Sequence, residues 1–506
     1  RLGRFDQDLL PAQQRTDHEL LRNRFESMRW YQDVFRSWEW VPSNYNVAGT
    51  MAVLLNTDFA PEDERLRIIL ARLEHVPAYY QAARDSISMP TLEHTELAIG
   101  QNRGGLSVLG PDLAARVDAS GLTKDERALF TSRLQAARAA IESWVDHLET
   151  LAFELAEAGT ARPFRIGAEL YEPKFAYDIQ ADFSASALYE RALAEKDRLH
   201  ADMDAIAIEL WPKYFADQAL PAEPLERIGR LIDYLSDRHV SVDGFVDEIR
   251  RQIPLLEAFV REHDLVDQDP DKPLIVRETP EYMRGTGAIA SVSAPGPFNP
   301  GAETYYNVTP LDYFGEAQAA SYLREYNHWI LQVLNIHEAI PGHYTQLLHA
   351  NRSPSLVKSL FGNGAMIEGW AVYAERMMLE EGFGGNEPEM WLMYGKWNLR
   401  VVTNAILDYA VHVLGMGEEE ALDLLRRQAF QEATEAANKW RRVRLSQVQL
   451  TSYFTGYAEI YDFRERLKAE RGDDFDLKEF HNEFLSYGSA PVATIIELMV
   501  EPAAGY

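Results

Sequence analysis

Residues 335–343 read Asn-Ile-His-Glu-Ala-Ile-Pro-Gly-His and close a strongly apolar run that begins at Trp329. Zinc-binding helices commonly carry His-Glu-x-x-His, in which the histidines lie four residues apart on one face and the glutamate acts as a general base. Here His337 and His343 are six residues apart, which on a regular helix means roughly 600° of rotation and about 9 Å of rise. An undistorted helix would therefore keep the two imidazoles from sharing an ion.

Pro341 and Gly342 predict a break between the two histidines. Pro341 has no N–H to donate to the carbonyl of His337, and its ring crowds that carbonyl. Gly342 permits backbone conformations that other residues avoid. We therefore interpret the segment as a zinc motif in which a bulge, of the kind that often marks functional sites in helices, accommodates two extra residues. Glu338, directly after the first histidine, is the expected general base.

A third ligand is expected from the next helical segment. Glu368 lies 25 residues past His343, and a glutamate from the following helix is the third ligand in thermolysin-like enzymes, where water takes the fourth position. Gly369 should let two helices approach closely. Glu375 is on the same helical face and is expected to orient a ligand histidine through a hydrogen bond. The prediction is one zinc ion held by His337, His343 and Glu368.

Helical patterns dominate the first 270 or so residues. The clearest helix begins with a capping box from Thr123 to Glu126 and continues as an apolar stripe until Gly159. A second long helix is expected from about Ser184 to Leu210, ending at Trp211-Pro212. Helical pattern resumes near Gly315 and continues almost to the end of the chain.

A short region before the zinc motif has a different character. Between about Pro273 and Pro310, glycines and prolines separate short runs such as residues 288–292 and 304–308, which predicts two or three strands. The turn-forming residues are Gly285, Gly287, Pro295, Gly296, Pro297, Pro300 and Gly301. The expected fold is mainly α: a large, two-lobed helical structure with a deep cleft and a small antiparallel β element before the metal motif. Residues 1–273 would form an N-terminal helical lobe and residues 274–506 a catalytic lobe, in one integrated unit.

Composition excludes several classes of function. The 506-residue chain has a formal net charge of −29, which argues against nucleic acid and anionic membrane as partners, since both are bound by clustered Lys and Arg. It has no cysteine, so a metal must use His, Asp or Glu. No stretch reaches the roughly 18 apolar residues that a transmembrane segment requires. We expect a soluble protein, either cytoplasmic or exported after removal of a leader, and its oligomeric state stays open.

The two motifs, with several later residues, resemble the bacterial domain-of-unknown-function family 885, which is similar to the gluzincin class of metallopeptidases. The resemblance covers nearly the whole chain. It is carried by His337-Glu338-x-x-Pro341-Gly342-His343-x-x-Gln346, by Glu368-Gly369-Trp370-Ala371-x-Tyr373-x-Glu375, by Arg400, Asp408, His412 and Gly415, by Arg442, Gln449, Tyr453 and Gly456, and by Arg464 with residues 475–481. The chain departs from the family pattern at Val443, Gln447 and Val448, where the family usually has Tyr, Pro and Gly, so the loop before Gln449 is expected to differ in shape.

The resemblance suggests further roles around the zinc. Tyr453 is the first candidate to donate a hydrogen bond to the developing oxyanion, and Tyr457, one turn on, is the second. His412 is a further donor candidate with Asp408 beside it, although two such residues four apart also fit an ordinary intrahelical pair.

Several residues are candidates for binding substrate. Arg442 and Arg464, like Arg400, are candidates for a peptide carboxylate, which the guanidinium fork suits, although arginines in an acidic protein also form salt bridges. Gln449 lies in the same signature as Arg442. Tyr305 and Tyr306 would lie on an edge strand that pairs with extended substrate backbone.

The leading hypothesis is a zinc metallopeptidase for short peptides. A zinc amidase or deacylase acting on a non-peptide amide needs the same water and base, so the sequence separates it poorly. A binding protein with an inert or structural metal is the third reading. The intact Glu338 argues against it, and structural zinc sites are usually rich in cysteine.

Overall fold

Helices account for most of the chain. The computed structural model describes residues 2–280, 289–296, 298 and 302–500. The helices of the first half are α1 (Ala12–Trp30), α2 (Ala48–Asn56), α3 (Glu62–Leu73), α4 (Val76–Ser86), α5 (Leu92–Gly105), α6 (Pro111–Ala119), α7 (Lys124–Ala158), α8 (Gly167–Ile179), α9 (Ala185–Tyr214), α10 (Pro224–Ser236) and α11 (Phe245–Glu262). The helices of the second half are α12 (Glu316–Glu325), α13 (Ile330–Glu338), α14 (His343–Asn351), α15 (Leu356–Leu360), α16 (Gly364–Glu380), α17 (Pro388–Tyr409), α18 (Glu418–Asp423), α19 (Ala433–Leu445), α20 (Ser452–Arg471), α21 (Leu477–Ser486) and α22 (Val492–Val500). The prediction of a mainly helical fold is confirmed.

Residue contacts divide the chain into two compact units. One is Met28–Phe164, and the other joins the segment before it to the chain from Arg165 onward. The lobe boundary predicted at residues 273–274 falls inside the second unit, where α11 packs against the first strand of the sheet. All of the candidate site residues belong to this second unit.

The capping box at the start of α7 forms as predicted. The Thr123 hydroxyl accepts a hydrogen bond from the Glu126 N–H at 3.2 Å, and the Glu126 carboxylate accepts one from the Thr123 N–H at 2.7 Å. The helix ends at Gly159, whose φ of 62° is a left-handed conformation that glycine adopts at low cost. The Met28–Phe164 unit is built on this helix, because α3, α4, α5 and α6 all pack along it.

The predicted end of the second long helix was wrong by one turn. α9 continues through Trp211-Pro212 to Tyr214, and the N–H of Phe215 donates to the carbonyl of Trp211 at 2.8 Å. Pro212 lacks only its own N–H, so a proline in the last turn removes one hydrogen bond while the following residues still close the turn. The extra turn reaches the start of α17, because the Tyr214 hydroxyl donates to Glu389 at 2.7 Å.

The small sheet before the motif has three strands. They are β1 (Leu274–Glu278), β2 (Ala290–Ser293) and β3 (Thr304–Val308), in the order β1-β3-β2. β3 pairs with β2 in antiparallel register and with β1 in parallel register, so the prediction of an antiparallel element is wrong for one of the two pairings. The chain between β1 and β3 is long enough to return in the same direction, which a parallel pair requires. Of the predicted turn residues, Gly285, Gly287, Pro297, Pro300 and Gly301, with Ala288 of the first predicted run, lie outside the described residues.

A few helices surround the zinc motif. α13 and α14 pack against α16, and α16 packs along α20 over much of its length. The helices around the motif are largely buried, and most side chains of α16 and α17 are inaccessible to solvent. Within the described part of the chain, no helix combines the length and apolar character needed to cross a bilayer.

Candidate metal centre

The two histidines of the motif lie on different helices. α13 ends at Glu338, and α14 begins at His343. Between them the Ile340–Pro341 peptide is cis, and the Gly342 N–H donates to the carbonyl of Ile336 at 3.0 Å. The predicted break at Pro341 is present, but it separates two helices where a bulge inside one helix was expected.

Gly342 allows the chain to fold back on itself. A Cβ at this position would lie 1.9 Å from the carbonyl oxygen of His337 and 2.3 Å from that of Ile336. Only a residue without a side chain fits so close to two backbone carbonyls. Backbone freedom was the expected reason for this glycine, but the main requirement is space.

The fold-back brings the two imidazoles together beside Glu368. The ring centroids of His337 and His343 are 4.7 Å apart, with the rings nearly perpendicular. The Nε2 atoms of His337 and His343 lie 3.7 Å and 3.4 Å from the same carboxylate oxygen, Oε2 of Glu368. One ligand atom from each of the three residues lies within 4.8 Å of the others. The structure therefore brings together the three residues predicted to hold zinc.

The donor set fits a zinc ion. Two imidazoles and one carboxylate form a typical ligand set of catalytic zinc sites. Around a tetrahedral zinc with bonds of about 2.0–2.1 Å, neighbouring donor atoms are about 3.4 Å apart. The two nitrogen-to-oxygen separations, 3.4 Å and 3.7 Å, match that spacing closely.

Glu375 holds His337 from the side away from Glu368. Its Oε1 lies 2.6 Å from the Nδ1 of His337, so Nδ1–H donates and Nε2 faces Glu368. Glu375 is fully buried. Burial lowers the pKa of His337, but the hydrogen bonds to Glu368 and Glu375 raise it more, and the net direction is well above the ordinary value. A carboxylate behind a ligand histidine fixes the ring orientation and the choice of nitrogen.

Glu338 lies beside the cluster without a hydrogen-bond partner. It is the last residue of α13. No described residue donates a hydrogen bond to its carboxylate, whereas Glu375 and Glu368 both face histidines. Burial raises the pKa of Glu338, and the charges of His343 and His337 partly oppose the rise. A half-buried carboxylate with open acceptor positions next to a metal site suits a general base.

Two glycines set the position of Glu368. Gly369 and Gly456 lie where α16 and α20 cross, and a Cβ on Gly456 would lie 1.8 Å from the carbonyl oxygen of Ala365. A Cβ on Gly369 would lie 2.3 Å from the backbone of Gly456. The predicted close approach at Gly369 therefore exists, and its partner is α20, the helix that begins at Ser452 and carries Tyr453.

Asp408 and His412 do not pair with each other. Asp408 is fully buried and accepts hydrogen bonds from the N–H groups of Val448 and Leu450 at 2.8 Å and 3.1 Å. The Nε2 of His412 lies 2.8 Å and 3.0 Å from the carbonyls of Val443 and Ser446, to which it donates. Both residues thus hold the loop after α19, and neither an intrahelical pair nor contact of His412 with the cluster is seen.

Three candidates for substrate contact lie at or beside the loop between α19 and α20. An Arg442 Nη2 lies 2.6 Å from the Gln449 side-chain oxygen and 3.2 Å from the Tyr453 hydroxyl, to both of which it donates. Val448, which stands where the family usually has glycine, has φ 71°. A left-handed conformation is costly for a β-branched residue, which explains the preference for glycine there. The hydrogen bond from the Val448 N–H to Asp408 helps to hold this conformation.

The prediction that Tyr305 and Tyr306 lie on an edge strand was wrong. β3 is the central strand, with β1 and β2 on its two sides, so its backbone is already paired. The Tyr306 side chain is fully buried and its hydroxyl donates to Asn335 at 2.8 Å. The Tyr305 hydroxyl donates to Glu303, and the Arg277 guanidinium covers its ring at 3.7 Å. Strand order depends on pairing between distant segments, which the local pattern did not contain.

The remaining candidates lie in packed or ion-paired positions. Tyr457 is 5% exposed, and burial raises its pKa to about 12. Arg464 pairs with Glu380 at 2.7 Å, and Arg400 pairs with Glu435 at 2.7 Å. For both arginines the structure shows the salt bridge that the sequence analysis named as the alternative to carboxylate binding.

Two tryptophans near the cluster were missed in the sequence analysis. The Nε1 of Trp370 donates to the carbonyl of Pro341 at 2.8 Å and so fixes the break between α13 and α14. The Trp397 ring lies 6.5 Å from the His337 ring, nearly perpendicular to it. Trp370 directly follows the Glu368-Gly369 pair and belonged to the quoted motif, but its hydrogen bond could not be foreseen without the fold.

Comparisons with known proteins identify relatives of unknown function. The profile of the family described as bacterial protein of unknown function (DUF885) matches residues 1–499. A solved structure from Shewanella oneidensis, described as a candidate lipoprotein of unknown function, is 57% identical, with a TM-score of 0.90 over 99% of this chain and 90% of that chain. A candidate lipoprotein from Colwellia psychrerythraea is 19% identical, with a TM-score of 0.71 over 89% of this chain and 78% of that one, which shows a shared fold. No curated protein matches the chain.

Proposed function

The chain belongs to the DUF885 family of bacterial proteins, and we propose that it is a zinc-dependent hydrolase that cleaves peptide bonds in short peptides. One observation carries the proposal. His337, His343 and Glu368 direct one donor atom each to a common point, and an unpartnered carboxylate, that of Glu338, lies beside them. This is the arrangement that metal-assisted hydrolysis requires, namely a three-ligand site with a base next to it.

Each residue of the site has a defined task in such a reaction. Bound zinc would supply Lewis acidity, which polarises the carbonyl and makes a water acidic enough to attack near neutral pH. Glu338 accepts a proton from the attacking water as the C–O bond forms. Glu338 then donates that proton to the amine nitrogen as the C–N bond breaks, which returns the carboxylate to its starting state. Glu375 keeps the Nε2 of His337 turned toward Glu368 throughout.

Tyr453 remains our candidate donor to the developing oxyanion. Its oxygen already accepts a hydrogen bond from Arg442, so its own proton is available to another acceptor. Tyr453 lies one turn before Gly456, where α20 touches the helix of Glu368. A phenol donor placed by that crossing would act only as negative charge develops, which favours the transition state over the substrate.

The absence of cysteine supports a catalytic over a structural metal, because structural zinc sites are usually rich in cysteine. A structural site also has no use for an unpartnered Glu338. An amidase for non-peptide amides would use the same residues, so only substrate profiling separates it from a peptidase. The description of the Shewanella relative as a candidate lipoprotein supports the exported alternative for location.

The direct test combines metal analysis with a peptide library. We expect about one zinc per purified chain and cleavage of short peptides that a chelator abolishes. Glu338→Gln should keep the zinc and lose hydrolysis, since an amide cannot accept the proton. His343→Ala should lose the zinc, whereas His349→Gln should keep it, because His349 lies on the same helix and contacts the carbonyl of Asp267.

Two results would contradict the proposal. Hydrolysis by Glu338→Gln at the wild-type rate would exclude Glu338 as the general base. Full zinc content in His343→Ala would show that the fold-back does not build the metal site. Cleavage of non-peptide acyl-amines, without cleavage of peptides, would support the same hydrolytic mechanism but identify the protein as an amidase.

A further inference from the structure

One face of α19 carries three charged side chains. Glu435, Lys439 and Arg442 lie four and three residues apart and so project from the same side of the helix. Arg442 reaches the Gln449 side chain and the Tyr453 hydroxyl, as described above. Arg442 was a candidate from the sequence, whereas Lys439 was not.

Lys439 is buried without a partner. It is 3% exposed, and among the described residues nothing forms a hydrogen bond or an ion pair with its ammonium group. A buried lysine is normally paired, because desolvation of an ammonium group is costly. Burial, followed by the charge of Arg400, lowers the pKa of Lys439 well below its ordinary value. A negative charge at this position would offset both effects.

The carboxylates nearby are already paired with other cations. Glu435 forms its ion pair with Arg400 at 2.7 Å. Glu325 forms one with Lys396 at 2.8 Å, and both of these side chains are 2% exposed. Among the described residues no carboxylate therefore forms an ion pair with Lys439, although Glu435 and Glu325 act on its charge, and Arg442 donates to two neutral acceptors. In a chain with 79 acidic and 50 basic residues, two adjacent cations without a carboxylate indicate a place for an anion from outside.

Arg400 links this group of cations to the candidate metal centre. The guanidinium of Arg400 lies 5.0 Å from the centroid of Trp397, whose ring is 6.5 Å from that of His337. Arg400 in turn is among the charges that act on Lys439. One aromatic ring thus lies between Arg400, the cation next to Lys439, and the first candidate ligand histidine.

We infer that Lys439 and Arg442 bind the C-terminal carboxylate of a short peptide, so that the enzyme acts as an exopeptidase from the C-terminal end. This inference rests on the proposed peptidase function. The guanidinium fork of Arg442 suits a carboxylate, and its present acceptors, Gln449 and Tyr453, are neutral and can give way to a charged one. Lys439 would supply a second, buried charge that an internal peptide segment could not neutralise.

The test compares tri-alanine with its C-terminal amide, which differ only in the terminal charge. Binding is measured by calorimetry on zinc-loaded Glu338→Gln protein, in which turnover is not expected. We expect the acid to bind at least about tenfold more tightly than the amide, as is typical for a hydrogen-bonded charge. Lys439→Gln and Arg442→Gln should each remove most of this preference, because each should weaken binding of the acid far more than binding of the amide. Arg441→Gln is the matched control, because it removes an equal charge from an exposed position on the same helix, and it should keep the preference.

Thermal unfolding of each variant shows whether it is folded, and if Lys439→Gln is not, the exposed Arg442→Gln variant carries the test. Equal binding of acid and amide, no binding of either at millimolar concentration, or an unchanged preference in both variants would overturn the inference. Hydrolysis of the same two peptides by the wild-type protein separates the two proposals. A preference for the acid without any hydrolysis would keep the carboxylate site and refute the peptidase, whereas equal hydrolysis of both would do the reverse.

Discussion

Replacing Gly342 by alanine tests whether the fold-back between α13 and α14 builds the metal centre. The new Cβ would lie 1.9 Å from the carbonyl oxygen of His337, whereas real Cβ atoms essentially never come closer than 3.0 Å to another heavy atom. The backbone must therefore open by about 1 Å, since close-packed interiors leave no room for the methyl group. Because His343 directly follows, its imidazole moves away from His337 and Glu368.

A ligand displaced by that distance should be costly. A misplacement of about 1 Å at an active site lowers the rate by about 100-fold, and we expect at least a tenfold loss of zinc affinity with it. Overpacking a close-packed site also costs about 1–3 kcal/mol of folding stability. Zinc affinity is measured by competition with a chelator, stability by urea denaturation of the zinc-free protein, and rate with the best peptide from the library.

Gly364→Ala is the control, because its Cβ would meet only the Ser452 hydroxyl oxygen at 3.8 Å, an ordinary contact, on the helix that carries Glu368. It should leave all three measurements unchanged. If Gly342→Ala bound zinc and unfolded like the wild type, the fold-back would not determine the site. A loss of stability with unchanged zinc affinity would show that His343 is positioned independently of the turn.

Three further substitutions address the surroundings of the site. Glu375→Gln should weaken zinc binding by about 10- to 100-fold, because the amide holds the Nδ1–H of His337 less strongly than the carboxylate does. Burial lowers the pKa of His481 to about 4. Between about pH 6.5 and pH 4 this histidine is therefore protonated in the unfolded chain but not in the folded chain. Stability should therefore fall by about 3 kcal/mol from pH 6.5 to pH 4, and the fall should be smaller by that amount in His481→Asn. Asp408→Asn should cost about 3 kcal/mol in urea denaturation, because an amide cannot accept from both the Val448 and Leu450 N–H groups.

Each of these substitutions has a matched control on an exposed residue. Glu381→Gln follows α16 and should keep zinc affinity, His263→Asn should keep the wild-type slope of stability with pH, and Asp473→Asn should keep stability. Equal zinc affinity in Glu375→Gln would show that the carboxylate does not support the ligand. If the stability of His481→Asn fell with pH as steeply as that of the wild type, the pH dependence would not come from this histidine. If Asp408→Asn had the wild-type midpoint in urea denaturation, the two hydrogen bonds to Asp408 would not stabilise the fold.

Patterns that depend on neighbours along the chain could be predicted from the sequence. The capping box of Thr123 and Glu126 spans four consecutive positions, and the break at Pro341 follows from one missing N–H. The choice of His337, His343 and Glu368 needed only motif spacing and the exclusion of cysteine. The placement of Glu375 followed from its position on the same helical face as Glu368.

Features that depend on distant segments could not be predicted in this way. β3 is a central strand because β1 pairs with it in parallel register, and the sequence of residues 304–308 does not indicate that pairing. Asp408 and His412 were expected near the substrate, but they hold backbone groups more than thirty residues later in the chain. The sequence around Lys439 is that of an ordinary helix, and only the burial of this lysine beside paired carboxylates distinguishes it from other helical lysines.

The crossing of α16 and α20 at Gly369 and Gly456 limits which substitutions this part of the chain can accept. Main chain meets main chain there, without an intervening layer of side chains that substitutions could reshape. The spacing between Glu368 and the start of α20 is therefore determined by the two glycines. Substitutions in the side chains around this crossing can therefore change what surrounds Glu368 without changing the separation of the two helices. A variant that lacks either glycine would need a different spacing between them.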